Sequence, residues 1–126
     1  MEIYSQITFF YYEDYKAACE FYENIFNFKV VQDQKMAKIY QIGKSFFGIV
    51  DGDKGSLRPQ PDNAVMLTII VDNVTEWYEY LKGKNVKEIK SPSKGVCAES
   101  AFFKDPGGYV IEIQRFIDNE IQREFE

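Results

Sequence analysis

One carboxylate stands out among the side chains able to do chemistry. It is Glu112, in the segment FFKDPGGYVIEIQ at residues 102–114. Two short apolar runs flank a tight turn there, at Asp105, Pro106, Gly107 and Gly108. Proline fixes φ for an early turn position, and glycine supplies the positive φ that a hairpin reversal needs. Past the turn, Tyr109, Ile111 and Ile113 alternate with Val110, Glu112 and Gln114. That period of two marks a strand whose faces meet different surroundings. A carboxylate in mid-strand either lies on a solvated face or marks a site. Paired with Tyr11, it could serve as base and acid for moving a proton on a bound molecule, which needs no metal.

Other chemistry is poorly supplied. The chain has no histidine, so a serine or cysteine nucleophile lacks its usual base. Cys19 and Cys97 form no CxxC motif or paired framework and read as free thiols in a reducing compartment. Cys19 falls on the apolar stripe of a helix and reads as core; Cys97 opens a strand and reads as a surface thiol. Fifteen basic residues face twenty acidic ones, for a net charge of −5. No basic stripe exists, and the dispersed Lys82, Lys84, Lys87, Lys90 and Lys94 read as solvated surface, so nucleic acid is not an expected partner. Trp77, Tyr78 and Tyr80 could suggest base stacking, but Trp77 and Tyr78 at helical spacing read more simply as helix-to-sheet packing. The acidic balance suits a cationic ligand or solubility alone. No apolar run approaches membrane-spanning length, and MEIYSQITFF lacks the basic and apolar parts of a signal sequence. A soluble, cytoplasmic protein without membrane contact is expected.

At 126 residues the chain fits one domain, or two small modules sharing a core. Its 17% aromatic content suggests a lined cavity as well as a packed interior. Residues 3–12 read as a first strand rich in β-formers. Asp14 reads as a helix N-cap. Tyr15, Ala18, Cys19, Tyr22 and Phe26 then follow the spacing of a one-sided helix, which Asn27 ends. Strand-like runs follow at 28–32, 37–42 and 45–50. Residues 51–63 (DGDKGSLRPQPDN) have no periodicity and read as a linker.

The pattern then repeats. A β-rich run at 64–71 leads to Asn73, a second N-cap with Glu76 at the capping-box position. Val74, Trp77, Tyr78 and Leu81 each lie 59 positions after Tyr15, Ala18, Cys19 and Tyr22. Gly83 to Asn85 close this helix, and strands follow at 86–89, 97–103 and 109–116. The fold class is therefore α+β, a tandem βαβββ repeat. Modules 1–50 and 64–116 would together form an eight-stranded curved sheet, a half-barrel cup with the helices outside. The tail, 117–126, spaces Ile117, Ile121 and Phe125 four apart, as in a short amphipathic helix able to dock on its own domain or on a second subunit.

The repeat, the Asp-capped helix bearing the aromatic pair Phe21–Tyr22, and the FxDPxGxxxE segment from Phe103 to Glu112 resemble the vicinal oxygen chelate superfamily. That group includes glyoxalase I, extradiol dioxygenases, fosfomycin-resistance enzymes and bleomycin-resistance proteins. The resemblance implies a divalent metal held by the first strand of each module and a glutamate on the last. Glu112 matches the glutamate, but Ile7 and Met66 occupy the other two places. Neither side chain can hold a hard or borderline cation. A slip of one position offers only Gln6, or Val65 and Leu67. A metal-free cup without cofactor is expected.

Register matched to the superfamily turns three sets inward: Ile7, Phe9 and Tyr11; Met66, Thr68 and Ile70; Val110, Glu112 and Gln114. These would line an apolar, aromatic hollow with Glu112 as its main charge. It would bind a small organic molecule, aromatic and partly cationic, in the manner of a resistance or sequestering protein. One alternative is a lyase, isomerase or dioxygenase-type enzyme using Glu112, with or without a metal. Another is a dimeric interaction module whose cup is filled by its own side chains. Members of the superfamily commonly dimerise, so a homodimer with the tail near the interface is expected.

Overall fold

The helix expected after Asp14 runs from Tyr15 to Asn24 (α1) in a computed structural model that describes residues 1–126. Asp14 Oδ1 accepts the Ala17 N–H at 3.0 Å, satisfying an amide that has no partner inside the helix. Asn27, at φ +56°, stops the chain from continuing as helix; asparagine enters this left-handed region more readily than most residues.

Around α1 lie β1 (Thr8–Tyr12), β2 (Lys29–Asp33), β3 (Ala37–Ile42) and β4 (Ser45–Asp51), in the order β1-β4-β3-β2. β1 runs parallel to β4, and the other pairs are antiparallel. Phe10, Tyr12, Tyr40, Phe47 and Ile49 are buried together with Ala18, Cys19 and Tyr22 of α1. The Tyr22 ring meets Phe47 edge-on at 5.2 Å and stacks on Phe28 at 5.5 Å, geometries that suit the aromatic quadrupole. The first strand is shorter than its composition predicts. Residues 3–7 belong to no strand, and Ile3 and Tyr4 are almost fully exposed. Pairing with β4 begins only at Thr8 opposite Phe47, and β-formers without a partner to pack against do not make a strand.

The chain divides into two compact units, Met1–Asp62 and Asn63–Glu126. The second unit repeats the plan of the first. It contains β5 (Met66–Ile70), α2 (Val74–Gly83), β6 (Lys87–Lys94), β7 (Ala98–Lys104) and β8 (Val110–Phe116), with strand order β5-β8-β7-β6. Asn73 caps α2 by accepting the Glu76 N–H at 3.0 Å, and Asn85 follows its end at φ +61°. Val74, Leu81, Ala101, Phe103, Ile111 and Ile113 form the fully buried core under the helix. The β7–β8 hairpin turns as expected, with Gly108 at φ +84°. Asp105 is buried there because its Oδ1 accepts the Gly107 and Tyr109 N–H groups, each at 2.9 Å.

One expectation is corrected in this unit. β6 runs to Lys94 instead of ending near Ile89, although it contains Pro92. It is an edge strand with register irregularities between Glu88 and Ser93, a setting in which proline removes no needed ladder bond. The tail forms the expected short helix, α3 (Asn119–Glu124), and Phe125 stacks on Phe116 at 5.0 Å. Ile117, Ile121 and Phe125 stay about half exposed, while Gln122 is only 1% exposed. Gln122 Nε2 donates to the Val71 carbonyl at 3.1 Å, and its Oε1 accepts the Phe116 N–H at 2.8 Å. The Gln122 amide thus ties α3 to two backbone groups that would otherwise lack a partner there. No helix is long and apolar enough to cross a membrane.

Candidate functional site

Alternation along β8 sends Ile111 and Ile113 toward α2 and leaves Val110, Glu112 and Gln114 on the opposite face. The parallel register pairs Met66 with Val110, Thr68 with Glu112 and Ile70 with Gln114. β7 adds Phe102 opposite Glu112 and Ser100 opposite Gln114. Six of the nine residues expected to bind ligand thus share one strand face in the second unit. Glu112 is 7% exposed, although its strand neighbours on this face are only partly covered.

Its carboxylate is held at both ends. The Thr68 hydroxyl donates to Oε1 at 2.8 Å, and the Gln114 amide donates to Oε2 at 3.2 Å. Neither donor is charged, and no lysine or arginine forms an ion pair with Glu112. Burying a carboxylate is costly unless hydrogen bonds or an opposite charge replace its water. A carboxylate offers about four acceptor positions. Two are occupied here, so the group can still accept from a donor or meet a cation.

In the first unit, Phe10 and Tyr12 point toward α1, and Ile7, Phe9 and Tyr11 toward the open face. Phe9 lies on Gly48 and Tyr11 on Gly55, positions where a Cβ would collide with each ring. The same unit carries a hollow of about 590 Å³ lined by Ser5, Gln6, Ile7, Val31, Gln32, Ile39 and Phe46. Of the expected residues only Ile7 is among them. Val31 and Gln32 are consecutive yet both line it, because the β2–β3 register shifts between Val30 and Gln32. A bulge of this kind re-aims a side chain that simple alternation assigns to the other face.

A second polar group lies on the helix side of the first sheet. Glu23 Oε2 accepts from Tyr40 Oη at 2.7 Å and from Lys38 Nζ at 3.0 Å. Burial raises the ionisation of Tyr40 well above the tyrosine range, and the neighbouring Cys19 and Glu23 add to the effect. The Cys19 thiol is also pushed up, chiefly by burial. The Tyr15 hydroxyl lies beside Cys19, buried without a well-formed hydrogen bond, and its ionisation is raised mainly by burial. Cys19 is core, as its helical position predicts, and Cys97 is exposed.

The model of the Glyoxalase/Bleomycin resistance protein/Dioxygenase superfamily matches residues 5–113. The chain belongs to this superfamily. Among solved structures, lactoylglutathione lyase from Agrobacterium tumefaciens is 17% identical, with 87% of this chain and 91% of that one covered at a TM-score of 0.73. A genomically encoded fosfomycin resistance protein from Listeria monocytogenes is 20% identical, with 91% and 94% covered at a TM-score of 0.73. A glyoxalase/bleomycin resistance protein/dioxygenase from Nocardioides is 13% identical, with 94% and 86% covered at 0.76. At these identities the likeness is one of fold. No curated protein matches the chain in sequence.

The donor set does not fit the divalent ion that resemblance to the superfamily implies. Ile7 has no donor atom and Met66 offers only a soft thioether, which leaves Glu112 as a single carboxylate where the family's ion takes three protein ligands. No three His, Cys, Asp or Glu side chains are grouped so that they could hold a metal ion.

Proposed function

We propose that this superfamily member binds a small organic molecule without a metal, as a sequestering or resistance-type protein, with Glu112 as its polar anchor. The observation that supports this reading is the buried carboxylate on the face of β8 opposite α2, steadied by two neutral donors and matched to no cation. A ligand with an aromatic plane and a cationic or strongly donating group complements it. Such a group would take the remaining acceptor positions, while Met66, Ile70, Val110 and Phe102 supply apolar contact. The fosfomycin resistance protein and the lyase among the structural relatives are consistent with small-molecule recognition on this fold. We also propose that the chain works as a homodimer.

The test is a thermal-shift and calorimetric screen of aromatic amines against wild type, Glu112→Gln and Glu112→Ala. Binding that weakens about tenfold or more in both variants supports the reading, as expected for a hydrogen bond to a charged group. Equal binding to all three proteins sinks it. So does a stoichiometric divalent metal in the purified protein.

A further inference from the structure

The second unit carries two exposed surfaces of opposite charge. On α3, Ile117, Ile121 and Phe125 form an apolar stripe that is about half exposed. Helical spacing puts Glu120 and Glu124 along one flank of it, while Gln122, on the other flank, is turned into the unit. Arg123, two positions past Ile121, lies on the far side of the helix. Neither glutamate has an ion-pair partner. The other surface is β6, an edge strand of the sheet. Its register sets Lys87 opposite Lys104 and shifts between Glu88 and Lys90, so Ile89 leaves the ladder and is 47% exposed. Like charges directly opposite repel, and Lys87, Lys90 and Lys104 form no ion pair. Glu88, the one acid in β6, is already engaged by Lys82 and Tyr78.

We propose that the acid-flanked stripe of α3 docks on the lysine edge of β6 in a second copy of the chain, and that a twofold axis makes this contact twice. The inference rests on the homodimer reading and names its surface. Pro92 and the register shifts spoil β6 for pairing with another strand, so this edge receives side chains. Ile89 meets Ile121 and Phe125, while Glu120 and Glu124 face Lys87 and Lys90. The two surfaces cannot meet within one chain. Lys87 aligns through Lys104 with Val110, the first residue of β8, whereas Gln122 ties α3 to Phe116, the last. The length of β8, roughly 20 Å, separates them. One contact of this kind is small beside a stable interface. A twofold axis doubles it and closes the assembly as a dimer.

Sedimentation of the full chain across a concentration series tests the contact. Glu120→Lys/Glu124→Lys and Lys87→Glu/Lys90→Glu should each weaken dimerisation about tenfold or more, because each sets like charges together in both contacts. All four positions are exposed, and an unchanged circular dichroism spectrum confirms that each variant is folded. An equal mixture of the two variants should recover the wild-type affinity, since every contact in the mixed dimer again joins opposite charges. Variants that dimerise as tightly as wild type overturn the α3–β6 contact and leave the homodimer reading standing. A mixture that fails to recover does the same. Wild type that stays monomeric at every concentration overturns both.

Discussion

Phe9 lays its ring on the bare backbone of Gly48, its partner in the parallel β1–β4 pair. The contact exists only because position 48 has no side chain. Gly48→Ala must displace the ring or the strand, and overpacking of this kind costs about 1–3 kcal/mol. Urea unfolding should show that loss. In the Phe9→Ala background the same change should cost much less, since the obstacle is gone.

On the other sheet, Thr68→Val keeps the shape of the side chain and removes its donor. The carboxylate of Glu112 would then be short of one hydrogen bond in a covered position, for a loss of about 1–3 kcal/mol. Combining Thr68→Val with Glu112→Leu, which removes the acceptor as well, should recover part of that loss. A double variant as unstable as the two single losses added together would show that the residues act separately.

How much of this was legible in the sequence depends on how local each signal is. The caps Asp14 and Asn73, the stops at Asn27 and Asn85 and the turn at Gly108 rest on neighbouring residues, and all are found where their chemistry places them. The face shared by Thr68, Glu112 and Gln114 was legible too, because alternation holds through β5 and β8. Val31 was not, since a bulge breaks the period that assigns faces. Gln122 was missed because its partners, Val71 and Phe116, are brought to it only by folding. The same is true of Glu23, whose bonds to Lys38 and Tyr40 cross from helix to strand.

The tail gives a third prediction. Gln122→Leu leaves the Val71 carbonyl and the Phe116 amide without their partner, again a loss of about 1–3 kcal/mol. Hydrogen exchange at the Phe116 N–H should speed up, and α3 should fray before the rest of the second unit. Exchange at Phe116 as slow as in wild type would show that α3 is held by its other contacts.

Alkaline pH should loosen the first unit. Cys19, Tyr15 and Tyr40 all ionise at higher pH in the folded chain than in the unfolded one, chiefly through burial. Above the unfolded value of each group, the unfolded chain loses a proton that the folded chain keeps, so stability falls as pH rises. The decline should begin near the ordinary cysteine value of about 8.5 and steepen near the tyrosine value of about 10. Melting temperatures from pH 7 to 11 would record it, and Cys19→Ala should flatten the earlier part. A curve unchanged by that substitution would remove the thiol from the account.

Each unit gathers its hydrophobic support on the helix side of its sheet and leaves the other side free of that duty. A duplicated scaffold built this way can let its two copies diverge in chemistry while their interiors stay alike. In the second unit that other side carries the covered acid Glu112 between Thr68 and Gln114. Redesigning the Glu112 surface for a new molecule should therefore spare the interior beneath it.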